Sequence, residues 1–540
     1  MISMQNKKSF FKALLVLSTV LPTIILMSPA PILAQTTVAG RALMDRPAID
    51  RFYKAQEGKP YWTRNGGLSS EGEDLVEAVE QSWTHGLNPD RYHLARIAEL
   101  EKSDNEAARQ NLETLLSDAY ARYVHDLTGM RVSPTSLGMD TPGWVRPMKA
   151  SGAFELLEQK RDVDAALAVI APQGGTYAKL RQELIKLSDD APPDYEAALP
   201  INTKRGLKPG LRDKDIPKVR ARLGVSSRRE NADLYDDSLA GAVIRFQKEN
   251  GLVADGVIGA KTLQYMNRTQ ADKIKQLALN LERLRWVPAQ KPERFIVVNV
   301  PTATLWALDR GRVAIDMPVI VGRKDRPTKS FITEITGVRF NPTWTVPPTI
   351  KNEDILPKLQ ENAAYVMDTG MDLVKVEGET RTVIDPLQVD WKDMTREDMK
   401  SIRMVQGAGS NNPLGNIRIL MPNRFDIYLH DTNHPEYFNK PDRMISSGCM
   451  RMKDPEAVAA FILDEQPDWS EADMNALLAS GRTRDVLVAE RIPVYVLYYT
   501  AWVGEDGRVA YGEDIYGEDA RLFRALSALD GIAIFSQNKS

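Results

Sequence analysis

The spacing of apolar residues changes character near residue 294, and that change divides the chain. Before it, apolar positions recur with the helical period, as at Leu75, Val76 and Val79 or Leu112, Leu115 and Leu116. After it, Phe295-Ile296-Val297-Val298-Asn299-Val300 opens a series of short β-rich runs. Runs 304–308 and 313–317 flank Asp309-Arg310-Gly311, a hairpin signal, and further strands are predicted over 337–340, 416–421, 425–430 and 494–503. Helices first and a mostly antiparallel sheet afterwards predict a multidomain α+β protein. A chain of 540 residues has room for three or four domains at roughly 100–200 residues each.

The boundaries follow from composition and turn signals. Residues 45–204 predict a helical scaffold. Residues 205–268 predict a small three-helix module: Ile216, Val219 and Leu223 end at Gly224, Leu239, Val243 and Phe246 end at Gly251, and Asp255-Gly256 turns into a stripe of Ile258, Leu263 and Met266. So short a bundle buries little surface and is expected to lean on its neighbours. The β-rich domain spans 280–511. Within it, 349–410 turns polar and helical, which reads as an inserted lid. Residues 512–540 form a tail with a helical pattern at 520–529.

The first 34 residues stand apart. Lys7, Lys8 and Lys12 precede an apolar run over 13–27, followed by Ser28-Pro29-Ala30 and Ile32-Leu33-Ala34, the layout of a secretory signal peptide. The run contains Pro22 and is short for a bilayer span of about 20 residues. The alternative is an uncleaved N-terminal anchor, the one route to the membrane. Either way the bulk of the chain is expected in the cell envelope, exported to the periplasm.

The chain has 70 Lys+Arg against 73 Asp+Glu, which leaves no global electrostatic case for nucleic-acid binding. Its one cysteine, Cys449, excludes an internal disulfide and any multi-thiolate metal site. In an oxidising compartment a lone thiol is either buried as a small hydrophobe or kept for its reactivity.

The residues around it supply the parts of a thiol nucleophile. Alternation over 425–430 puts Ile427 and Leu429 on one face and Asp426, Tyr428 and His430 on the other. Cys449 follows Ser446-Ser447-Gly448, and Asp454-Pro455 begins a helix, so the thiol is expected on a tight segment between strand and helix. His430 can take the thiol proton, giving a thiolate–imidazolium pair with a lowered thiol pKa. Backbone N–H groups of Gly448 and Cys449 can hold an oxyanion, and Arg451 a substrate carboxylate. On the residues alone, a nucleophilic thiol and an inert one both stand. His430 and His434 share the spacing of a helical zinc pair, but a strand precedes them, Pro435 follows, and the peptidase glutamate is missing. No metal is assigned. His85, His93 and His125 have no partner visible in sequence and are expected to be structural.

Tyr428, Leu429-His430-Asp431-Thr432 and Ser446-Ser447-Gly448-Cys449-Met450-Arg451-Met452 resemble the catalytic core of the YkuD-type L,D-transpeptidases. The long exported YcbB-like branch of that family resembles almost the whole mature chain, through Asn341-Pro342-Thr343-Trp344-Thr345-Val346-Pro347-Pro348 and Tyr499-Thr500-Ala501-Trp502. Phe246-Gln247, Gly251-Leu252, Asp255-Gly256, Gly259 and Thr262-Leu263 are similar to the three-helix peptidoglycan-binding domain, and the segment with Tyr53, Trp62 and His85-Gly86-Leu87 to that branch's scaffold. The resemblance implies Cys449 as nucleophile and His430 as base, with Ser446, Ser447, Gly448 and Arg451 around the oxyanion or substrate. Many relatives carry a histidine two residues before the cysteine, where Ser447 stands here, and often read Thr-Pro where this chain has Thr328-Lys329. What orients His430 is left open between a backbone carbonyl, a hydroxyl and Asp431. The implied reaction is cofactor-free acyl transfer from a peptidoglycan tetrapeptide stem to a second stem, with covalent inhibition by carbapenems. Transfer to water (an L,D-carboxypeptidase), transfer to a lipoprotein lysine, or a silent wall-binding scaffold are the alternatives.

Overall fold

The computed structural model describes residues 37–530 apart from 39–40, 104, 141, 191–197, 203–205, 468 and 505. The expected signal segment, 1–34, and the last ten residues of the tail lie outside the described residues. Among those described, no helix is long and apolar enough to cross a membrane.

The scaffold is built around one long helix, Glu106–Thr128 (α1), whose cap Asn105 accepts the N–H of Ala108. The amphipathic face expected there is absent, because every residue from Leu112 to Ala121 is buried. Its polar side chains stay inside because each is matched, which removes the desolvation cost. Glu113 accepts from the hydroxyls of Tyr53 (2.6 Å) and Thr63 (2.7 Å), and Asp118 from the N–H of Met44 (2.6 Å). The histidines without visible partners have them in space: His85 Nδ1 lies 2.9 Å from the Tyr177 hydroxyl, His93 Nε2 2.8 Å from Asp118 and His125 Nδ1 3.0 Å from Asp126.

The small module has helices Ile216–Leu223, Asp237–Glu249 and Ala260–Met266 around Val219, Leu239, Val243 and Ile258. Gly224, at φ +65°, closes the first helix in the left-handed conformation that glycine adopts without strain. Buried Gln247 ties down the following turn, donating to Asp255 (2.9 Å) and accepting from the N–H of Gly256 (2.8 Å). A capping box at Thr269 and Asp272 then starts Gln270–Leu284 (α2), which packs Leu277 and Leu281 on Tyr177, Leu180 and Leu184 of the scaffold.

The β domain contains Arg294–Asn299 (β1), Thr304–Asp309 (β2), Arg312–Gly322 (β3), Phe331–Phe340 (β4), Ile417–Leu420 (β5), Leu429–His430 (β6), Met444–Ser446 (β7), Met450–Met452 (β8) and Arg484–Leu497 (β9). Their order is β7-β3-β8-β6-β5-β4-β9-β1-β2, and an added β2–β3 pairing closes eight of them into a ring. Most pairs are antiparallel; β6–β8, β7–β3 and β9–β1 are parallel. Ile296, Val298, Leu305, Val319, Val338, Ile419, Leu429, Met450 and Val494 fill the interior. Helix Pro455–Leu463 (α3), capped by Asp454 with Pro455 at its first position, adds Val458 and Ile462.

Two expectations need correction. The strand expected over 425–430 is only Leu429–His430. Asp426 has φ +53°, and Asn423 pulls the chain into a turn by accepting the N–H of Phe425 (3.0 Å) and donating to the carbonyl of Ile427 (2.7 Å). The insertion is not mainly helical. After Leu356–Glu361 and Tyr365–Asp368 it forms a four-stranded sheet of Trp344–Thr345, Met371–Glu377, Thr380–Ile384 and Ile402–Gln406. That sheet has a core of its own around Trp344, Val366, Leu373, Trp391 and Met404.

Helix Glu518–Asp530 (α4) clamps the assembly. Its Leu522 and Leu526 join Trp144, Trp286 and Leu279 against Phe295, Tyr495 and Leu497 on the outside of the ring. Where α1, α2 and α4 meet, three guanidinium groups face three carboxylates. Arg131 Nε donates to Glu282 (2.8 Å) and its Nη1 lies 3.4 Å from Asp530 and 3.8 Å from Asp126. Arg91 donates to Asp126 (2.5 Å) and Arg285 to Glu282 (2.6 Å). The side chains of Arg131, Asp126, Glu282, Arg285 and Asp530 are wholly buried.

Candidate active site

Alternation along three neighbouring strands sends one row of polar side chains to the outside of the ring. Ile417 and Ile419 point inward and Arg418 outward on β5; Leu429 points inward and His430 outward on β6; Met450 and Met452 point inward and Arg451 outward on β8. Register aligns them, Arg418 opposite His430 and His430 opposite Arg451. Cys449 stands one residue before β8, and the N–H of Met450 bonds the Tyr428 carbonyl at 3.0 Å. Tyr428, His430, Cys449 and Arg451 therefore share one face. The Tyr428 ring lies 5.7 Å from that of His430, and the Arg418 guanidinium stacks 3.9 Å above Tyr428.

The thiol sits on a turn between β7 and β8, not between strand and helix, since β8 intervenes before α3. Ser446 fastens this turn. Its hydroxyl donates to the Cys449 carbonyl (2.6 Å) and accepts the N–H of Gly448 (3.1 Å). The Thr328 hydroxyl donates to the Gly448 carbonyl (2.7 Å) and accepts from Gly322 (2.8 Å). Gly448, at φ +117°, occupies backbone space that a side chain enters only with strain. Two assignments change as a result. Ser446 is buried and holds the turn rather than facing a substrate, and the Gly448 N–H is already used. The Cys449 N–H makes no hydrogen bond among the described residues and is the donor left for an oxyanion.

Ser447 accepts from Arg323 (3.4 Å) and Arg326 (3.2 Å) of the β3–β4 loop. Arg326 in turn forks onto Asp354 (2.5 and 2.9 Å) and Glu353 (2.6 Å) of the insertion. The insertion thus reaches the turn that carries the thiol. The loop holding Thr328-Lys329 borders the turn through the Thr328 hydroxyl and Arg326.

The electrostatics differ from the expected ion pair. Cys449 keeps part of its surface open to solvent, yet the packing around its sulfur raises the thiol pKa, partly offset by hydrogen bonds from Tyr428 and the charge of Arg418. The thiol donates to the Asp426 carbonyl (3.7 Å). His430 is pulled down to about 3, first by burial and then by the charges of Arg451 and Arg418. At rest the pair is a neutral thiol and a neutral imidazole. Asp431 does not orient His430 through its carboxylate, which accepts the N–H groups of Asn416 (2.7 Å) and Thr432 (2.7 Å). His434 lies 2.9 Å from Glu436 and stacks on Tyr437.

Such a face can deliver a sulfur nucleophile to a carbonyl while a neighbouring imidazole receives its proton. Tyr428, Arg418, Thr328 and Arg326 carry no role in the sequence reading. Alternation along 416–421 points Arg418 outward, but no spacing in the sequence ties position 418 to 430. Ser446→Ala removes both bonds that shape the turn, about 1–3 kcal/mol of restraint. Turnover of the donor peptide is expected to fall about 10–100-fold with KM little changed, checked by steady-state kinetics.

Comparison with known proteins joins this geometry to a chemistry. Residues 293–486 match the L,D-transpeptidase catalytic domain. Ahead of it, residues 47–184 match a scaffold domain and 221–266 the domain described as "Putative peptidoglycan binding domain". A "Putative L,D-transpeptidase" of Haemophilus influenzae is 34% identical over 248 residues, 46% of this chain and 49% of that protein. The chain thus matches about half the length of that relative. Similar solved structures include the L,D-transpeptidase from Mycobacterium smegmatis (13% identity, TM-score 0.18, 38% of this chain and 58% of that one). The L,D-transpeptidase from Stackebrandtia nassauensis is 12% identical with a TM-score of 0.19, over 54% and 94% of the two chains. Overlaps this loose carry no argument about function. In the sequence of the catalytic domain the whole constellation from Arg418 to Arg451 falls inside the matched residues.

Proposed function

We propose that the protein is a cell-wall L,D-transpeptidase of the YcbB-like kind that works through Cys449. The observation that carries this reading is the partly exposed Cys449 on a pinned turn, on one face with Tyr428, His430 and Arg451, inside the matched catalytic domain. The sulfur attacks the amide between the third residue of a tetrapeptide stem and its terminal D-alanine, its proton passing to His430. The Cys449 N–H stabilises the oxyanion. D-Alanine leaves with the proton from His430, and the side-chain amine of a second stem resolves the thioester into a cross-link. No step calls on a metal or an organic cofactor.

The order of domains supports the reading. A wall-binding module tethered to the catalytic ring raises the effective concentration of a polymeric substrate at the thiol. The insertion, linked to the active-site turn through Arg326, is placed to shield the thioester from water and favour the amine. A wall substrate also places the protein outside the cytoplasm, in the periplasm.

Purified tetrapeptide muropeptides, incubated with the full chain and followed by mass spectrometry, test it. Cross-linked dimer and free D-alanine are expected. Tripeptide without dimer would instead mark a carboxypeptidase, and no change in any donor would remove the enzymatic reading. A carbapenem is expected to add its full mass to the intact protein through Cys449 at neutral pH; an unmodified protein would count against an activatable thiol.

A further inference from the structure

The face around His430 holds more cationic hydrogen-bonding capacity than the fold consumes. Arg418 Nε and Arg451 Nε and Nη1 are buried without a partner among the described residues, and neither guanidinium takes part in an ion pair there. A buried N–H left unpaired is costly, so an arrangement that leaves three of them in one row calls for an acceptor. The nearest carboxylate in that row, Asp485, is already held by Arg339 in a two-point fork at 2.6 and 2.7 Å. The carboxylate of Asp431 is taken up by backbone N–H groups. What remains is two guanidinium groups on the two strands that flank β6, with a neutral imidazole between them.

His430 Nδ1 has no hydrogen-bond partner among the described residues, and the Cys449 thiol donates to the Asp426 carbonyl. A buried base beside two guanidinium groups that lack an ion-pair partner among the described residues resists a third positive charge. An anion between those cations lessens the resistance.

Resting on the acyl-transfer reading above, we infer that Arg418 and Arg451 are a receptor for a carboxylate of the donor peptide, and that filling it enables His430 to accept the proton of Cys449. The thiol is then activated by its substrate rather than before it arrives. Sulfur forms its bond to the scissile carbonyl carbon as the S–H proton moves to His430, and the carbonyl π pair moves to oxygen. Collapse breaks the C–N bond, and the imidazolium returns the proton to the leaving amine. The carboxylate takes no part in bond making. It supplies negative charge to Arg418 and Arg451, whose charges lower His430 alongside the larger effect of burial. The other groups facing the imidazole are Tyr428, whose pKa is raised by burial and by Cys449, and Asp431, raised by burial.

A tetrapeptide donor offers two carboxylates near the scissile bond, the terminal one of D-alanine and the one on the side chain of the third residue. Three donors separate them: the parent muropeptide, its D-alanine carboxamide, and its third-residue side-chain carboxamide. Single-turnover thioester formation on the full chain, followed by intact mass, gives the acylation rate at saturation and the half-saturating concentration. One of the two amides is expected to lower the saturating rate at least tenfold. The same change is expected to cost Arg418→Gln less than threefold relative to that variant's own parent rate, with Arg418→Lys in between. Equal saturating rates for all three donors, or a loss confined to half-saturation, overturn the proposal. Should Arg418→Gln fail to fold, the wild-type comparison still decides. Absence of a thioester with every donor would instead bring down the acyl-transfer reading itself.

Discussion

Cys449→Ala is expected to abolish cross-linking, with turnover of tetrapeptide donors falling at least about 10⁴-fold, because no other residue on the face can form the covalent intermediate. The loss should be chemical, not structural. The side chain is partly buried, its hydrogen bonds to the Asp426 carbonyl and with Tyr428 are the weak ones of a thiol, and the turn is held by Ser446 and Thr328. Thermal midpoints of the variant and the parent should therefore coincide. Sedimentation with insoluble peptidoglycan should be unchanged too, since the small module folds around its own core of Val219, Leu239 and Val243. Retained cross-linking in this variant, measured as muropeptide dimer, would end the mechanism.

Arg131→Met is expected to destabilise the folded chain by about 3–5 kcal/mol, the usual cost of stripping one partner from a buried ionic group. It leaves Glu282 and Asp530 facing each other with one fewer cation, in a place closed to water. Arg131→Lys should rescue only part of the loss, because an ammonium cannot reach two carboxylates with a planar fork. A lowered midpoint in calorimetry checks this, and a midpoint equal to the parent would show that the cluster adds nothing. The cluster should also be acid-labile. The charges of Arg131 and Arg285 hold Glu282 down to about 2 against the burial that opposes them. Its contribution is complete above the ordinary glutamate range near 4.3 and is lost as pH falls toward 2. Asp530 is shifted the other way, by burial, and so weakens the fold above its ordinary range. Arg131→Met should accordingly flatten the decline in stability between about pH 4.5 and 2.

The parts of the molecule that could be read from its sequence are those fixed by short-range pattern. Gly224 ends a helix because its neighbours are periodic and it alone is at ease at positive φ, and Asp454-Pro455 starts one because a carboxylate caps what proline cannot. Cys449 and His430 stood out by chemistry and by the alternation around them. What escaped was set by long-range pairing. Little that is local says that Glu113, Asp118 and Asp126 lie inside the scaffold, since Tyr53, Met44, His93 and Arg91 reach them from 25 to 74 positions away. Nor does the run at 416–421 announce that Arg418 will face His430; only the β5–β6 register does. The state of the pair was missed for the same reason, because the packing that buries the sulfur and the imidazole, and the Arg451 and Arg418 charges that add to it at His430, come from other strands.

The ring is completed by its final strand. β9 lies between β4 and β1, so the first strand of the domain, paired early with β2, waits almost two hundred residues for its second partner. A chain cut short before residue 484 would leave two unzipped sheet margins, the kind of surface that recruits other strands. Assembly of such a non-local topology is slow. The newly made polypeptide therefore spends a vulnerable interval as an open sheet, until β9 has been made and has paired on both sides.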